Sequence, residues 1–193
     1  MRLVVGLGNP GERYRRTRHN AGFLALDLLA ARSRAVPRLE ADAWLAEASL
    51  GDERVLLVKP LSFMNRSGEP LARLLSESGG SPADLVVVVD DVALELGTVR
   101  VRPRGSDGGH NGLRSLGEAL GTTDFARVRI GVREAGLPVE DLPLDLTSYV
   151  LSEFPEPDAA ALEAALTLTA DAVECLLQEG TEAAMDRFNG RRA

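Results

Sequence analysis

The stretch Leu85-Val86-Val87-Val88-Val89, followed at once by Asp90 and Asp91, restricts the fold more than any other segment. Five consecutive apolar residues are too few for a buried helix, and four of them are β-branched. Such a run reads as a central strand covered on both faces. A strand of that kind needs neighbours in a sheet and helices above and below it.

The remaining chain supplies both. Arg2–Gly6 reads as a second buried strand, and 21–34 as a helix with apolar residues Phe23, Leu24, Leu26, Leu28 and Leu29. Residues 44–50 and 54–59, separated by Gly-Asp-Glu, read as a β-hairpin. Ser67 is a plausible cap for a helix that admits Pro70 in its first turn and stops at Gly79-Gly80. Strands follow at 99–102 and 127–132, with a short helix at 113–120 between them. Residues 134–146 are acidic and contain proline, hence a connecting loop or lid. A long amphipathic helix at 158–178 ends at Gly180, and a short helix over 181–188 follows. The expectation is an α/β fold: a single domain over residues 1–193, with a twisted mixed β-sheet flanked by helices.

Composition narrows the functional classes. No apolar run reaches membrane-spanning length and no secretory leader is visible, so the chain is expected to be a cytoplasmic monomer with no membrane partner. Cys175 is the only cysteine, and its helical setting marks it as a core residue. The net charge of −7 argues at first against nucleic acid. Its distribution is uneven, however. Residues 1–38 carry a net +6 and residues 98–133 a net +4, whereas 39–97 and 134–193 carry −7 and −10. If the two basic segments meet in space, they form a phosphate-binding patch despite the acidic total.

Gly6, Gly8 and Gly11 spell the G-x-G-x-x-G of a dinucleotide-binding turn, but the context of that motif is missing. Pro10 and a nine-residue polar stretch delay the helix, and Asp27 falls inside it rather than at the end of a second strand. A structural zinc needs four Cys or His ligands, and the chain has three such residues. No serine sits in a G-x-S-x-G turn, and no Gly-Lys-Ser/Thr phosphate loop is present.

The scarce polar residues are more telling. Both histidines precede asparagine beside glycine, in TRHNAG (His19) and GGHNG (His110). Asn9 lies in GLGNPG and Asn65 in SFMNRSG. All four loops follow strands or strand-like runs, on the edge where α/β sheets place ligands. The set suits hydrolysis of an acyl group. A neutral imidazole takes a proton from water near pH 7, a carboxylate orients it, and amides stabilise a developing oxyanion. Asp90, at the end of the buried strand, is the natural carboxylate.

Five stretches in this order and approximate spacing, VVGLGNPGERYRRTRHNAGF, LVKPLSFMNRSG, LVVVVDDVALELG, GGHNGLRSL and RVRIGV, resemble the bacterial-type peptidyl-tRNA hydrolases over nearly the whole chain. The resemblance implies cleavage of the ester between a peptide and the 3′-terminal ribose of tRNA, without metal or organic cofactor. It implies His19 as general base, Asp90 as its orienting carboxylate, and Asn9 and Asn65 as groups positioning water and the scissile carbonyl. Asn111 would bind the peptide portion, with Tyr14 and Met64 shaping the cleft and His110 beside them. Arg100, Arg102 and Arg129 match positions associated with the tRNA acceptor end. One departure is visible: where the family often has Asp-Asp-Leu-Asp-Leu-Pro, this chain has Asp-Asp-Val-Ala-Leu-Glu, so Ala93 replaces an aspartate. A non-catalytic RNA-binding protein on the same scaffold is the competing reading. A nucleotide-dependent oxidoreductase is a third, weakened by the missing context of the glycine motif.

Overall fold

The computed structural model describes residues 1–40 and 42–193. Seven strands among them, β1 (Arg2–Gly6), β2 (Arg38–Glu40), β3 (Ala43–Leu50), β4 (Glu53–Pro60), β5 (Leu85–Glu95), β6 (Val99–Arg102) and β7 (Ala126–Arg133), form a sheet in the order β2-β3-β4-β1-β5-β7-β6. The four strands β4, β1, β5 and β7 are parallel; β3 and β6 run antiparallel to them, and β2 pairs antiparallel with β3 at the margin. The helices are α1 (Ala21–Ser33), α2 (Gly68–Glu77), α3 (Asn111–Leu120), α4 (Leu146–Val150), α5 (Ala159–Glu179) and α6 (Thr181–Phe188).

The valine run sits between two parallel neighbours and alternates between two apolar layers. Val86 and Val88 pack with Leu26, Val128, Ile130 and Val173 on the side of α1 and α5. Leu85, Val87 and Val89 pack with Leu71, Leu113 and Phe125 on the side of α2 and α3. Burying one such side chain stabilises by roughly 1.5–3 kcal/mol, so the register of β5 is firmly held. That register also places the two aspartates. Asp90 continues the Val86–Val88 face and Asp91 the other. A slip of one residue would exchange them.

The glycines of the N-terminal motif serve packing. A Cβ on Gly6 would lie 2.5 Å from the Gly22 carbonyl oxygen, and one on Gly8 would lie 2.6 Å from the Phe23 ring. These two residues let α1 lie directly against the end of β1. Only Gly11 needs the left-handed region, at φ 106°. The motif therefore closes a strand–helix contact.

Three elements differ from the reading of the sequence. β5 runs on through the aspartates to Glu95, because Asp90 and Asp91 still pair with Ile130 and Gly131 of β7 before the register shifts. β2 is a short, fully exposed edge strand with no apolar pattern to announce it. α4 is a single turn or so, held by Asp145, whose carboxylate accepts from the Thr147 and Ser148 N–H groups. Ser67 is not a side-chain cap: its hydroxyl donates to the Met64 carbonyl within the preceding turn.

Edge strand β6 is closed by the C-terminal segment. The Asn189 side chain accepts from Val101 N–H and donates to Val101 C=O, and Thr98 bridges to Arg192. This accounts for the one asparagine outside the four polar loops, and it removes an unpaired strand edge.

β1 is followed by a connection toward β4, and β5 by one toward β6 and β7. The loops at their carboxyl ends therefore diverge, leaving a crevice between adjacent strands. Open α/β sheets bind ligands at such a point. Gly22→Ala tests the contact beneath it. The new methyl would meet the Val88 and Leu7 carbonyl oxygens at 2.5 and 2.6 Å. Stability should fall by about 1–3 kcal/mol or more, read as a lower urea midpoint with an unchanged m-value.

Candidate active site

The crevice is a cleft of about 370 Å³, and four loops converge on it. The loop after β1 contributes Asn9 and Tyr14, and its closing 3-10 turn contributes His19. The turn after β4 contributes Phe63, Met64 and Asn65. β5 contributes Asp90, Asp91 and Val92. The glycine-rich loop before α3 contributes His110 and Asn111, and Arg129 of β7 completes that wall. A fifth wall was not anticipated residue by residue: Leu146, Thr147 and Val150 of α4, with Leu151.

Asp90 is the centre of the site. It is 3% exposed, and its carboxylate lies between two imidazoles. His19 Nδ1 is 3.0 Å from both carboxylate oxygens, although the residues are 71 apart in sequence. His110 Nε2 is 2.9 Å from Oδ1. Burial by itself would push the carboxyl up. The two imidazoles outweigh it by charge and hydrogen bonding and hold Asp90 well below the ordinary carboxylate range. An ionised carboxylate only accepts, so His19 Nδ1 carries a proton. In the neutral ring Nε2 is then a free base. Nε2 has no protein partner among the described residues and is not sealed from solvent. For His110 the network fixes the opposite tautomer. Its Nδ1 accepts from Gly112 and Leu113 N–H at 3.1 and 3.3 Å, capping α3, so Nε2 is the protonated atom facing Asp90.

Asn9 is equally constrained. Its N–H donates to Asn20 Oδ1 at 2.8 Å, and its carbonyl accepts from Asn20 Nδ2 at 2.9 Å. Its own Oδ1 accepts from Met64 N–H at 2.9 Å, which leaves Nδ2 for the cleft. Asn20 was visible in the sequence only as the neighbour of His19. Here it is the bracket that orients Asn9. Arg18, on the other side of His19, is buried. Its guanidinium lies over the Tyr149 and Phe154 rings at 4.7 and 5.4 Å and donates to Ser152 Oγ and the Glu153 carbonyl. The residues flanking the imidazole thus anchor the amide on one side and the α4 segment on the other.

The arginines divide into two kinds. Antiparallel pairing sets Arg100 opposite Arg129 and Arg102 opposite Arg127, so all four stem from one face of the β6–β7 ribbon. Arg127 is consumed internally: it donates to the Gly105, Ser106 and Thr123 carbonyls and so holds the glycine-rich loop. Arg129 Nε lies 3.1 Å from Asp91 Oδ2 at the cleft wall. Arg100 and Arg102 lie outside the cleft, and among the described residues no carboxylate is within ion-pair distance of either. Part of the basic N-terminal segment is engaged elsewhere, while Arg13, Arg15 and Arg16 stay exposed around Tyr14 of the cleft. Arg2 donates to the Leu177 carbonyl, Arg32 pairs with Asp171 and Arg38 with Glu40.

His19 Nδ1, an Asp90 oxygen and His110 Nε2 lie within 4.8 Å of one another and are the one candidate metal-ligand cluster among the described residues. Each imidazole nitrogen is already hydrogen-bonded to the carboxylate, and both carry protons that a metal would have to displace. The donor set is arranged as a proton-handling pair with a supporting second imidazole.

The peptidyl-tRNA hydrolase family model matches residues 3–193. The chain belongs to the peptidyl-tRNA hydrolase family. A peptidyl-tRNA hydrolase of Desulforudis audaxviator is 45% identical, with 100% of this chain and 95% of the relative covered. One of Chloroflexus aurantiacus is 46% identical, covering 98% and 99%. The crystal structure of an Arg-to-Gln mutant of the Acinetobacter baumannii peptidyl-tRNA hydrolase superposes with a TM-score of 0.90 at 28% identity, covering 100% of this chain and 96% of that one. No helix among the described residues is long and apolar enough to cross a membrane.

The ionic balance at the site is open to direct test by NMR titration of His19. Burial lowers the His19 pKa, but the Asp90 charge and hydrogen bond prevail and raise it above its ordinary value of about 6.5. Asp90→Asn removes the raising interaction and leaves burial unopposed. His19 should then titrate below its wild-type midpoint, with a larger neutral fraction at pH 6.5. An unchanged or higher midpoint would contradict the assignment.

Proposed function

We propose that this chain hydrolyses the ester joining a peptide to the 3′-terminal ribose of tRNA, releasing both for reuse, with His19 as the general base. Family membership over the whole chain supports the reaction. The observation that carries the chemistry is the contact of His19 Nδ1 with an ionised, buried Asp90. His19 Nε2 removes a proton from a water molecule as its oxygen attacks the ester carbonyl. Asp90 stabilises the imidazolium that results and remains ionised throughout. The Nδ2 group of Asn9, with Asn65 across the cleft, donates to the oxyanion. On collapse the imidazolium returns the proton to the departing ribose oxygen, yielding a peptide acid and a free tRNA end. A general base of this kind contributes roughly 100- to 10,000-fold in rate. No step calls for a metal or organic cofactor.

The peptide portion lies against Asn111, Tyr14 and Met64, with His110 holding Asn111 at the first turn of α3. A hydrogen bond from Asn65 or Asn111 to the amide beside the ester discriminates against free aminoacyl-tRNA, which presents an ammonium there. A mismatch of that kind costs about 1–3 kcal/mol, or roughly 10- to 100-fold. Arg100, Arg102 and Arg129 receive phosphates of the acceptor end, the first two from β6 and Arg129 at the cleft. We place the enzyme in the cytoplasm as a monomer. A binding-only role on this scaffold would have no use for a protonated Nδ1 held on a buried carboxylate.

Two variants and one substrate pair test the reading. His19→Ala should lose at least 100-fold in kcat with tRNA binding nearly intact; full turnover would end the mechanism. Arg102→Ala should weaken tRNA binding and reduce the slope of log K against log salt by about one, with kcat little changed. N-acetyl-aminoacyl-tRNA should be cleaved at least 10-fold faster than its unblocked counterpart, and equal rates would remove the proposed amide contact.

A further inference from the structure

Beside the cleft a second hollow of about 310 Å³ is walled by Val92 and Ala93 of β5 and by Val139, Leu142, Leu144 and Leu146. Val92 and Leu146 line both spaces, so the two are adjacent. The lining is apolar throughout. Of the seven large hydrophobic side chains exposed on the described surface, Val139, Leu144 and Leu146 are on this rim, and Phe63 stands at the mouth of the main cleft. Exposed hydrophobic residues scattered singly need no explanation, but a cluster beside the candidate cleft does.

Charge decides which half of the substrate it faces. Residues 134–146 carry Glu134, Glu140, Asp141 and Asp145 and no lysine or arginine. Phosphates are repelled from such a rim, whereas the unpaired Arg100 and Arg102 lie on β6. RNA belongs on the β6 side, and an uncharged apolar group belongs in the annex. Ala93 matters here. The resembling family often carries aspartate at this position, and a carboxylate there would add a charged, hydrated group to a rim that the exposed Ala93 leaves uncharged.

We propose that this annex binds an apolar side chain of the peptidyl portion, that of the residue immediately upstream of the esterified one, and that Ala93 keeps the site uncharged and so selective against acidic side chains. The proposal rests on the hydrolase reading above. An extended chain advances about 3.3–3.6 Å per residue, so such a side chain lies immediately beyond the reacting ester, on the scale of one cleft lying beside the next.

The test uses N-acetyl-dipeptidyl-tRNAs that share the tRNA, the esterified residue and the amide, and differ only in the upstream residue: Leu, Gly or Asp. The full-length enzyme should cleave the Leu substrate with a kcat/KM on the order of 10-fold above the Gly substrate, with Asp below Gly. In Ala93→Asp and in Leu144→Ser the Leu-to-Gly ratio should fall toward one. Leu144 is fully exposed, so its replacement leaves the core untouched. Equal kcat/KM for Leu and Gly in the wild type, or a preference unchanged in both variants, overturns the annex while leaving the hydrolase intact. Failure to cleave any of the three substrates overturns the hydrolase reading and the annex with it. Sedimentation velocity on the same proteins covers the other occupant. Concentration-dependent dimers abolished by Leu144→Ser would assign this face to a second copy and overturn the proposal.

Discussion

A carboxylate sealed from water at the end of a central strand is tolerable only if the protein supplies the hydrogen bonds that water would have made. Asp90 obtains them from two imidazoles. Removing either partner from such an arrangement leaves a buried charge poorly compensated, at a cost of several kcal/mol. The contact therefore stabilises as well as activates. His19 opens α1, and His110 caps α3, so the same carboxylate joins β5 to helices on both faces of the sheet. It also dictates the two tautomers, and with them which nitrogen of His19 is left without a protein partner among the described residues.

The surroundings of His19 show how a flexible-looking polar loop becomes a rigid one. Arg18, His19 and Asn20 are consecutive, all buried, and each reaches a different part of the molecule. Arg18 stacks between aromatic rings of the 149–154 segment, His19 meets Asp90, and Asn20 clasps the backbone of Asn9. Three divergent anchors on one turn fix the imidazole far more closely than its own contact could. The Asn9 amide inherits this order, since Asn9 is held through backbone and side chain by Asn20 and Met64. Positioning to a fraction of an ångström is what an oxyanion donor requires.

Charge in this chain is not a guide to surface potential until each cation is located. Among the arginines, Arg18 and Arg127 are internal struts, and Arg133 is buried beside Glu95. Arg32 and Arg38 are neutralised by neighbouring carboxylates. The basic character of residues 98–133 survives in the exposed Arg100 and Arg104 and the half-buried Arg102, whereas residues 1–38 spend Arg18 internally and keep Arg13, Arg15 and Arg16 on the surface. Segment sums treat all arginines alike and cannot make this distinction, because pairing is a matter of tertiary distance.

Local sequence determined much of the architecture. The valine run could be nothing but a covered strand, the period of apolar residues marked α1 and α5, and glycine and proline punctuated the loops. The four Asn- and His-bearing loops could be assigned to one sheet edge because strand ends in an α/β sheet share an edge. Their chemistry was legible for the same reason: few residue types activate water, and the chain has few of them. Elements without a periodic signal escaped. β2 has only three exposed residues, α4 is held by a capping aspartate rather than by an apolar face, and Asn20 was just a neighbour of His19. Tertiary structure alone decided that His19 and Asp90, 71 residues apart, meet at 3.0 Å. It also decided that Asn20 orients Asn9 and that Ala93 lies on the wall of a hollow beside the cleft. A sequence encodes these distances only through the packing of every element between them, and no local rule sums that packing.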